Sequence, residues 1–274
     1  MSQIDRYALI TNTIVPLRAE PADESEIMTE LLFGDTFRIL DQKRQWRYIR
    51  ADADGYEGWI DEKAYVLLSH AQHRRLQAET PVYLLDTVGE LEWPGGYSQK
   101  LVKGCRLPRY DAATGNIEVG DMRMRVRGRV ITGRHELYRV LEIAASYMYA
   151  PYLWGGKTDF GMDCSGLTQM AFRLAGYYDL PRNARDQIHE GELVDFDRRM
   201  PGDLAYFASK SGKITHVGIV WTDGLILHAH GQVHLDPLQV DGIFSRKFQR
   251  LSHHLVAIKR LKPKSIISMF EKNA

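Results

Sequence analysis

Cysteine is scarce in this chain of 274 residues, which carries only Cys105 and Cys164. Two cysteines cannot form the disulfide framework of a small secreted domain, and their number fits a reducing compartment. A single bridge between them is the less favoured alternative, because it would consume both thiols. We therefore expect a cytoplasmic protein in which both cysteines are free.

Long apolar runs and an excess of one charge are also missing. No stretch is apolar and long enough to cross a bilayer, and Asp5 and Arg6 stand where a signal peptide needs its hydrophobic segment. The net charge is only +1, and the ten histidines are scattered along the chain. We therefore expect no membrane partner, no nucleic-acid partner and no export by a signal peptide. The oligomeric state stays open, with a monomer favoured.

The first 68 residues have the pattern of a small β-barrel. Alternating apolar and polar residues at 36–40 and 46–49 favour half-buried strands, and Gly34-Asp35 and Asp54-Gly55 favour turns. The segments PLRAEP, LLFGD, a single tryptophan before a strand, and DGYEGWI follow in that order. In this arrangement the region resembles a bacterial SH3-like domain.

A second, divergent barrel is predicted at 69–132, where the signals are weaker. Strands are indicated at 82–85, 99–102 and 123–127, with turns between them. Arginines alternate along the last of these strands, as is typical of a solvated face.

The stretch from Pro151 to Leu174 places Cys164 at the start of a predicted helix. Apolar residues follow it at helical spacing, and Gly176 provides a stop. Asp163 has the position of an N-cap, so the free N–H groups and the positive helix end would stabilise a thiolate. The alternative is that Cys164 is a small buried hydrophobe.

Residues 133–262 are predicted to form an α+β domain, followed by a tail at 263–274. A helix is indicated at 135–149, and strands are indicated at 215–221, 225–230 and 255–260.

A thiol nucleophile needs an imidazole base, and the base usually needs a third group that fixes its tautomer. His216 and His228 lie on consecutive predicted strands joined by a turn at Asp223-Gly224. A loop with an odd number of residues would place both on one face of the sheet, whereas a two-residue loop would separate them. His230 has the same parity as His228, so spacing alone does not choose between them.

Metal binding is the less favoured interpretation of the histidines. His228, His230 and His234 are conceivable zinc ligands, but neither cysteine nor a carboxylate is well spaced to complete a closed site. His253 and His254 should point to opposite faces of a strand. We therefore expect neither a metal nor a cofactor.

The motifs PYLWGG, DCSGL, PGDL, THVGIV and LHA follow one another over about 125 residues. In this order the C-terminal half resembles an NlpC/p60 cysteine peptidase domain, which implies a papain-like fold behind one or two SH3-like barrels. The resemblance implies Cys164 as nucleophile, His216 as general base and His228, rather than His230, as the orienting residue. Tyr152 matches the tyrosine that helps to bind the oxyanion.

The resemblance also implies a substrate-binding groove. Its candidate residues, on both sides of the cysteine and in the first barrel, are Asp163, Ser165, Trp154, Arg182, Asn183, Tyr56 and Glu57.

An SH3-like region before such a domain resembles the subgroup of γ-D-glutamyl-L-diamino-acid endopeptidases that recycle murein peptides. These enzymes act on small muropeptides with a free N-terminal L-alanine, whose ammonium group is held by acidic side chains. Glu57 is the candidate from the barrel, with Asp163 from the peptidase domain. Relatives often have Pro-Arg-Asp where this chain has Pro181-Arg182-Asn183. The side chain of Asn183 carries no charge, unlike the aspartate at that position.

Two alternatives stay open at this point. The chain could be an amidase or endopeptidase of intact peptidoglycan that acts as an antibacterial effector. It could also be an inactive wall-binding scaffold, although intact Cys164, His216, His228 and Tyr152 speak against that interpretation.

Overall fold

A computed structural model describes residues 6–263 of the chain, so the predicted tail lies outside the described residues except for Pro263. The chain divides into two compact units, which we describe separately. The N-terminal unit contains the residues up to 133 together with 154–159, and the C-terminal unit contains 134–153 and the residues from 160 onward. Among the described residues, no helix combines the length and apolar character that a membrane span requires.

The N-terminal unit begins with an antiparallel barrel sheet. Its strands, in chain order, are β1 (Arg6–Ile10), β2 (Ile14–Arg18), β3 (Ile27–Leu32), β4 (Thr36–Lys43), β5 (Trp46–Ala51), β6 (Glu57–Asp61) and β7 (Tyr65–Leu68). The strand order is β3-β2-β6-β5-β4-β1-β7. Alternate residues such as Val15, Leu17 and Ile49 face the core, as the period of a half-buried strand requires. The predicted SH3-like fold is confirmed here.

A helix that the sequence analysis did not predict follows this sheet. It is α1 (His70–Ala78), and Ser69 caps it. The Ser69 hydroxyl accepts from the N–H of Gln72, while the Gln72 side chain accepts from the N–H of Ser69. This reciprocal capping box is a recognised start signal of a helix.

The remainder of the N-terminal unit is again antiparallel sheet. Its strands are β8 (Val82–Leu84), β9 (Val88–Glu92), β10 (Ser98–Val102), β11 (Asn116–Val119), β12 (Met122–Arg127), β13 (Val130–Thr132) and the short β14 (Lys157–Thr158). The order β10-β9-β12-β11 forms one sheet, and β13 pairs with β8. Along β12 the arginines are exposed and Met124 and Val126 are buried, as the alternation predicted.

The C-terminal unit combines helices with one antiparallel sheet. Its helices are α2 (Leu137–Ala145), α3 (Cys164–Leu174) and α4 (Ala184–Gln187). Its strands are β15 (Gly161–Met162), β16 (Glu192–Val194), β17 (Leu204–Ala208), β18 (Ile214–Val220), β19 (Leu225–His230), β20 (Gln232–Gln239), β21 (Gly242–Ser245) and β22 (Arg250–Arg260). The predicted α+β class is confirmed.

The large sheet of this unit has the order β16-β22-β17-β18-β19-β20-β21, and β21 also pairs with β22. Strands β17 to β22 therefore close on themselves around a core that includes Phe207, Ile226 and Ile258. Helix α3 packs against β18 and β19, which carry the candidate histidines. Strands β20 and β21 were not predicted from the sequence, and β20 carries Asp236, which lies beside the candidate histidines.

Candidate active site

Cys164 is the first residue of α3, and Asp163 is its N-cap. Oδ1 of Asp163 accepts a hydrogen bond from the backbone N–H of Gly166 at 2.7 Å. Such a cap satisfies one of the N–H groups that have no partner within the first turn of a helix. The helix start and its cap are therefore as the sequence predicted, and they fix the backbone that carries the thiol.

The sequence predicted that the helix start would stabilise the thiolate of Cys164, but the pKa of this thiol is raised. Burial, with a smaller contribution from the charge of Asp163, raises the pKa of Cys164 to about 12. Backbone N–H groups of Val217 and Ser165 and the charge of Arg182 act in the opposite direction but do not offset the burial. The thiol is only 5% exposed, so the loss of hydration outweighs the helix N-terminus. At neutral pH the thiol is protonated and needs a base.

His216 on β18 and His228 on β19 lie on the same face of the sheet. Beyond the end of β18 the N–H of Trp221 donates to the carbonyl of Leu225, so the loop between paired positions is Thr222–Gly224, and its three residues satisfy the odd-length condition of the parity argument. Nε2 of His216 is 3.0 Å from Nδ1 of His228, within hydrogen-bond distance. His230, which spacing could not separate from His228, is exposed.

The imidazole rings of His216 and His228 are both neutral, as a general base and its hydrogen-bond partner require. Burial, followed by the neighbouring histidines, lowers the pKa of His216 well below its ordinary value. Burial also lowers the pKa of His228, although Asp236 opposes that shift. Two neutral imidazoles can form a single N–H···N hydrogen bond, in which one donates and the other accepts.

Asp236 is a residue that the sequence analysis missed. It lies on β20, which pairs with β19 and places His234 opposite His228. Oδ2 of Asp236 is 3.6 Å from Nε2 of His228, and a carboxylate at this point favours a proton on that nitrogen. Nδ1 of His228 is then an acceptor, so Nε2 of His216 donates, and Nδ1 of His216 can take a proton. Alternation in residues 232–236 was the signal that could have predicted this strand.

Arg182 forms a buried polar network beneath the cysteine. Its guanidinium donates to both carboxylate oxygens of Asp163, at 3.0 and 2.6 Å, and to Oγ of Ser165 at 2.9 Å. Arg182 is 2% exposed. The structure thus places Arg182, predicted as a substrate-binding residue, under the helix start, where it holds the two residues that flank Cys164.

Tyr152 lies close to the thiol. Burial raises the pKa of Tyr152 to about 12, and the proximity of Cys164 and Asp163 adds to this effect. Its backbone N–H donates to the carbonyl of Gly231 at 2.9 Å, and its backbone forms an isolated bridge with Met162. Tyr152 is 37% exposed, so part of this residue is in contact with solvent.

The remaining predicted substrate residues have partners of their own. Asn183 caps α4 by position, and its amide donates to Asp186 at 3.1 Å. In the N-terminal unit, Oε1 of Glu57 accepts from Arg50 at 2.6 Å and Oε2 accepts from Tyr48 at 3.0 Å.

Two further candidates also belong to the N-terminal unit. Tyr56 packs against the barrel core. The 56% exposed Trp154 donates from its indole N–H to Glu26 at 2.7 Å. Nothing in these contacts assigns either residue to a substrate.

A metal-binding set also differs from the one considered from the sequence. One ligand atom from each of His228, His234 and Asp236 lies within 4.8 Å of the others. The carboxylate of Asp236 thus takes the place that the sequence analysis gave to His230.

Comparison with known proteins adds the following matches. Residues 149–252 match the NlpC/P60 family, and residues 17–64 match a bacterial dipeptidyl-peptidase SH3 domain. The gamma-D-glutamyl-L-lysine dipeptidyl-peptidase of Bacillus subtilis is 30% identical over 225 residues, which cover 75% of this chain and 73% of that protein. The dipeptidyl-peptidase 6 of Lysinibacillus sphaericus is 30% identical over 247 residues, which cover 81% of this chain and 87% of that protein.

Among solved structures, an NlpC/P60 family protein from Bacillus cereus has the same fold. It superposes with a TM-score of 0.79 at 20% identity and covers 94% of this chain and 100% of its own.

Proposed function

Because this chain belongs to the NlpC/P60 family of cysteine peptidases, we propose that it hydrolyses the bond between γ-D-glutamate and the diamino acid of small murein peptides. The substrate carries a free N-terminal L-alanine, and the reaction proceeds through a thioester. The observation that carries this proposal is the hydrogen bond between His216 and His228 on β18 and β19, the two strands against which the helix that begins at Cys164 packs.

The first half of the reaction transfers the acyl group to the enzyme. Sγ of Cys164 attacks the carbonyl carbon of the γ-glutamyl bond while its proton passes to Nδ1 of His216. The carbonyl oxygen becomes an oxyanion, which accepts hydrogen bonds from the backbone N–H of Cys164 and the hydroxyl of Tyr152. Collapse breaks the C–N bond, His216 gives its proton to the departing amine, and an L-alanyl-γ-D-glutamyl thioester is left.

The second half returns the enzyme to its starting state. His216, again neutral, removes a proton from a water molecule that attacks the thioester carbonyl. The C–S bond breaks, the proton returns to the sulfur, and the dipeptide L-Ala-D-Glu leaves. His228 keeps the same ring nitrogen of His216 available in both halves.

The choice of bond is supported by the relatives. Proteins named gamma-D-glutamyl-L-lysine dipeptidyl-peptidase are similar to this chain over about three quarters of its length. Such a name describes an enzyme that removes a dipeptide from a chain end. Glu57 as the acceptor of the alanine ammonium stays a prediction, and the ammonium would compete there with Arg50.

A panel of substrates tests this proposal against hydrolysis of intact wall. The panel contains L-Ala-γ-D-Glu-L-Lys, the same peptide with diaminopimelate, their N-acetylated forms and intact sacculi. We expect cleavage of the free peptides and little or no action on the acetylated peptides or the sacculi. Release of soluble fragments from sacculi by a protein that leaves the free tripeptides intact would favour the effector alternative instead.

We propose that this reaction serves the recycling of murein peptides in the cytoplasm. The cytoplasmic location is a prediction from the sequence. Fractionation of cells that express the native protein, with cytoplasmic and periplasmic or secreted markers, tests the location. A protein found outside the cytoplasm would contradict the recycling role but not the chemistry at Cys164.

A further inference from the structure

His228, His234 and Asp236 bring one potential ligand atom each into a small space. Nε2 of His228 lies 3.6 Å from Oδ2 of Asp236, and Nε2 of His234 lies 3.1 Å from the same oxygen. In a tetrahedral zinc site, bonds of about 2.0–2.1 Å put neighbouring ligand atoms roughly 3.3–3.5 Å apart. The two separations from Oδ2 of Asp236 are close to this range, and all three ligand atoms lie within 4.8 Å of one another, which suits one small divalent ion bound by two imidazoles and a carboxylate after small side-chain adjustments.

Both ring nitrogens of His234 face an oxygen atom. Nδ1 of His234 is 2.8 Å from the carbonyl oxygen of Gln232, so a proton on Nδ1 forms that hydrogen bond. Nε2 of His234 lies 3.1 Å from Oδ2 of Asp236, so either a second proton or a metal ion must lie between these two atoms. Two acceptors in this position repel each other unless a positive charge lies between them. A ring held by a backbone carbonyl at its other nitrogen is also the usual arrangement of a metal-binding histidine.

The second observation concerns His228. Its side chain is fully buried, and its Nε2 has no hydrogen-bond partner within the described part of the chain. A buried polar atom without a partner is costly, so an interaction at Nε2 would stabilise the protein. The nearest carboxylate oxygen, Oδ2 of Asp236, is beyond ordinary hydrogen-bond distance but well placed to share a metal ion.

Asp236 is oriented for this role by its own contacts. Its Oδ1 accepts from the backbone N–H of Arg246 at 3.3 Å, which leaves Oδ2 directed at the histidines. The Asp236 side chain is 5% exposed, whereas that of His234 is 25% exposed. Solvent thus reaches the cluster from the side of His234, where a water molecule can complete a fourfold coordination.

We propose that His228, His234 and Asp236 bind a divalent transition-metal ion of the zinc type, and that this ion switches off the thiol site. Imidazole and carboxylate are both regular zinc ligands, and one of the three, His228, is also the hydrogen-bond partner of His216. The inhibitory consequence, unlike the metal site itself, rests on the proposed function.

The switch follows from the positions of two protons. Without metal, His228 carries its proton on Nε2 and accepts from Nε2–H of His216 through Nδ1. A neutral imidazole that binds metal through Nε2 must carry its proton on Nδ1, so His228 becomes the donor in that hydrogen bond. His216 must then accept through Nε2 and keep its proton on Nδ1. No proton is gained or lost, but His216 can no longer take the proton of Cys164.

Calorimetry on the full chain tests the site without any peptide. The Cys164→Ala variant removes the thiol as a competing ligand and is titrated with ZnCl₂. We expect one Zn²⁺ per chain, with affinity at least about tenfold weaker after the additional change His234→Gln. The matched control is His254→Gln, an exposed histidine of β22, which should leave the affinity unchanged. Absence of binding to Cys164→Ala, or equal binding after His234→Gln, would overturn the site.

Nitrogen-15 NMR of the histidine side chains tests the switch in the same Cys164→Ala protein. We expect the proton of His216 on Nε2 without zinc and on Nδ1 with zinc, and no such change in the His234→Gln variant. An unchanged His216 tautomer with zinc bound would refute the switch. These measurements use no peptide, so an uncleaved tripeptide would count against the proposed function and leave the metal site to be judged by zinc binding.

Discussion

Nε2 of His216 lies 3.0 Å from Nδ1 of His228, in a place where the two residues are only 5% and 0% exposed. This contact uses Nε2 of His216 and leaves Nδ1 for the proton transfer from Cys164 that we propose. Because both rings are buried, water cannot substitute for His228 as the group that fixes the tautomer. The arrangement fixes the orientation of His216, the proposed base.

We expect His228→Ala to lower kcat by about 10²- to 10⁴-fold with little change in KM, because His216 loses the partner that fixes its proton. Steady-state kinetics on L-Ala-γ-D-Glu-L-Lys measures this. His228→Asn, which can still accept a hydrogen bond, should recover part of the loss. His230→Ala, on the same strand but exposed, is the control and should keep kcat. An equal loss in His228→Ala and His230→Ala would refute a specific role for His228.

We expect Tyr152→Phe to lower kcat by about 10²- to 10³-fold, as found when one oxyanion donor is removed elsewhere. The ring and its packing remain, so the thermal stability should change little. Tyr149→Phe is the matched control, because Tyr149 is 73% exposed on the same segment. If the kcat of Tyr152→Phe equals that of the wild type, the hydroxyl has no part in binding the oxyanion.

The network at the helix start should be important for stability. We expect Arg182→Met to reduce the free energy of unfolding by about 3–5 kcal/mol, because it leaves the buried carboxylate of Asp163 without its ion partner. Chemical denaturation with circular dichroism measures this change. Arg185→Met, with a side chain that is 71% exposed, should change it by less than about 0.5 kcal/mol. Equal effects of the two substitutions would show that the buried ion pair contributes nothing specific.

The raised pKa of Cys164 has a consequence for its reactivity. A thiol with a pKa of about 12 has little thiolate at neutral pH, and the thiolate fraction grows with pH until that value is reached. We expect the rate of alkylation by iodoacetamide at Cys164 to rise about tenfold per pH unit from about pH 7 to about pH 9.

Peptide mapping assigns the adduct in that experiment, and a Cys105→Ala variant should give the same profile. Cys105 is completely buried, and burial raises its pKa to about 12 as well. A rate that stays flat across this range would instead indicate a thiolate–imidazolium pair in the resting enzyme.

The sequence predicted the parts of this site that depend on local pattern. The N-cap at Asp163, the start of α3 and the shared face of His216 and His228 all follow from periodicity and from the length of one loop. Such features are set by neighbours in sequence, so a single chain is enough to infer them.

What the sequence did not predict depends on partners from distant segments. Asp236 acquires its role only because β20 pairs with β19, and Arg182 is buried only because Asp163 and Ser165 face it. The sequence does not distinguish an exposed arginine from a buried one, because burial depends on residues that are distant in the chain. Helix α1 is different: its capping box at Ser69 was a local signal that the analysis overlooked.

The most direct test of the account is mass spectrometry of L-Ala-γ-D-Glu-L-Lys and of the corresponding diaminopimelate peptide after incubation with the purified protein. We expect wild-type protein to release L-Ala-D-Glu and the free diamino acid from at least one of the two peptides, and Cys164→Ala to release neither product. Cleavage at the L-Ala–D-Glu bond, equal cleavage by Cys164→Ala, or no cleavage of either peptide would contradict this expectation.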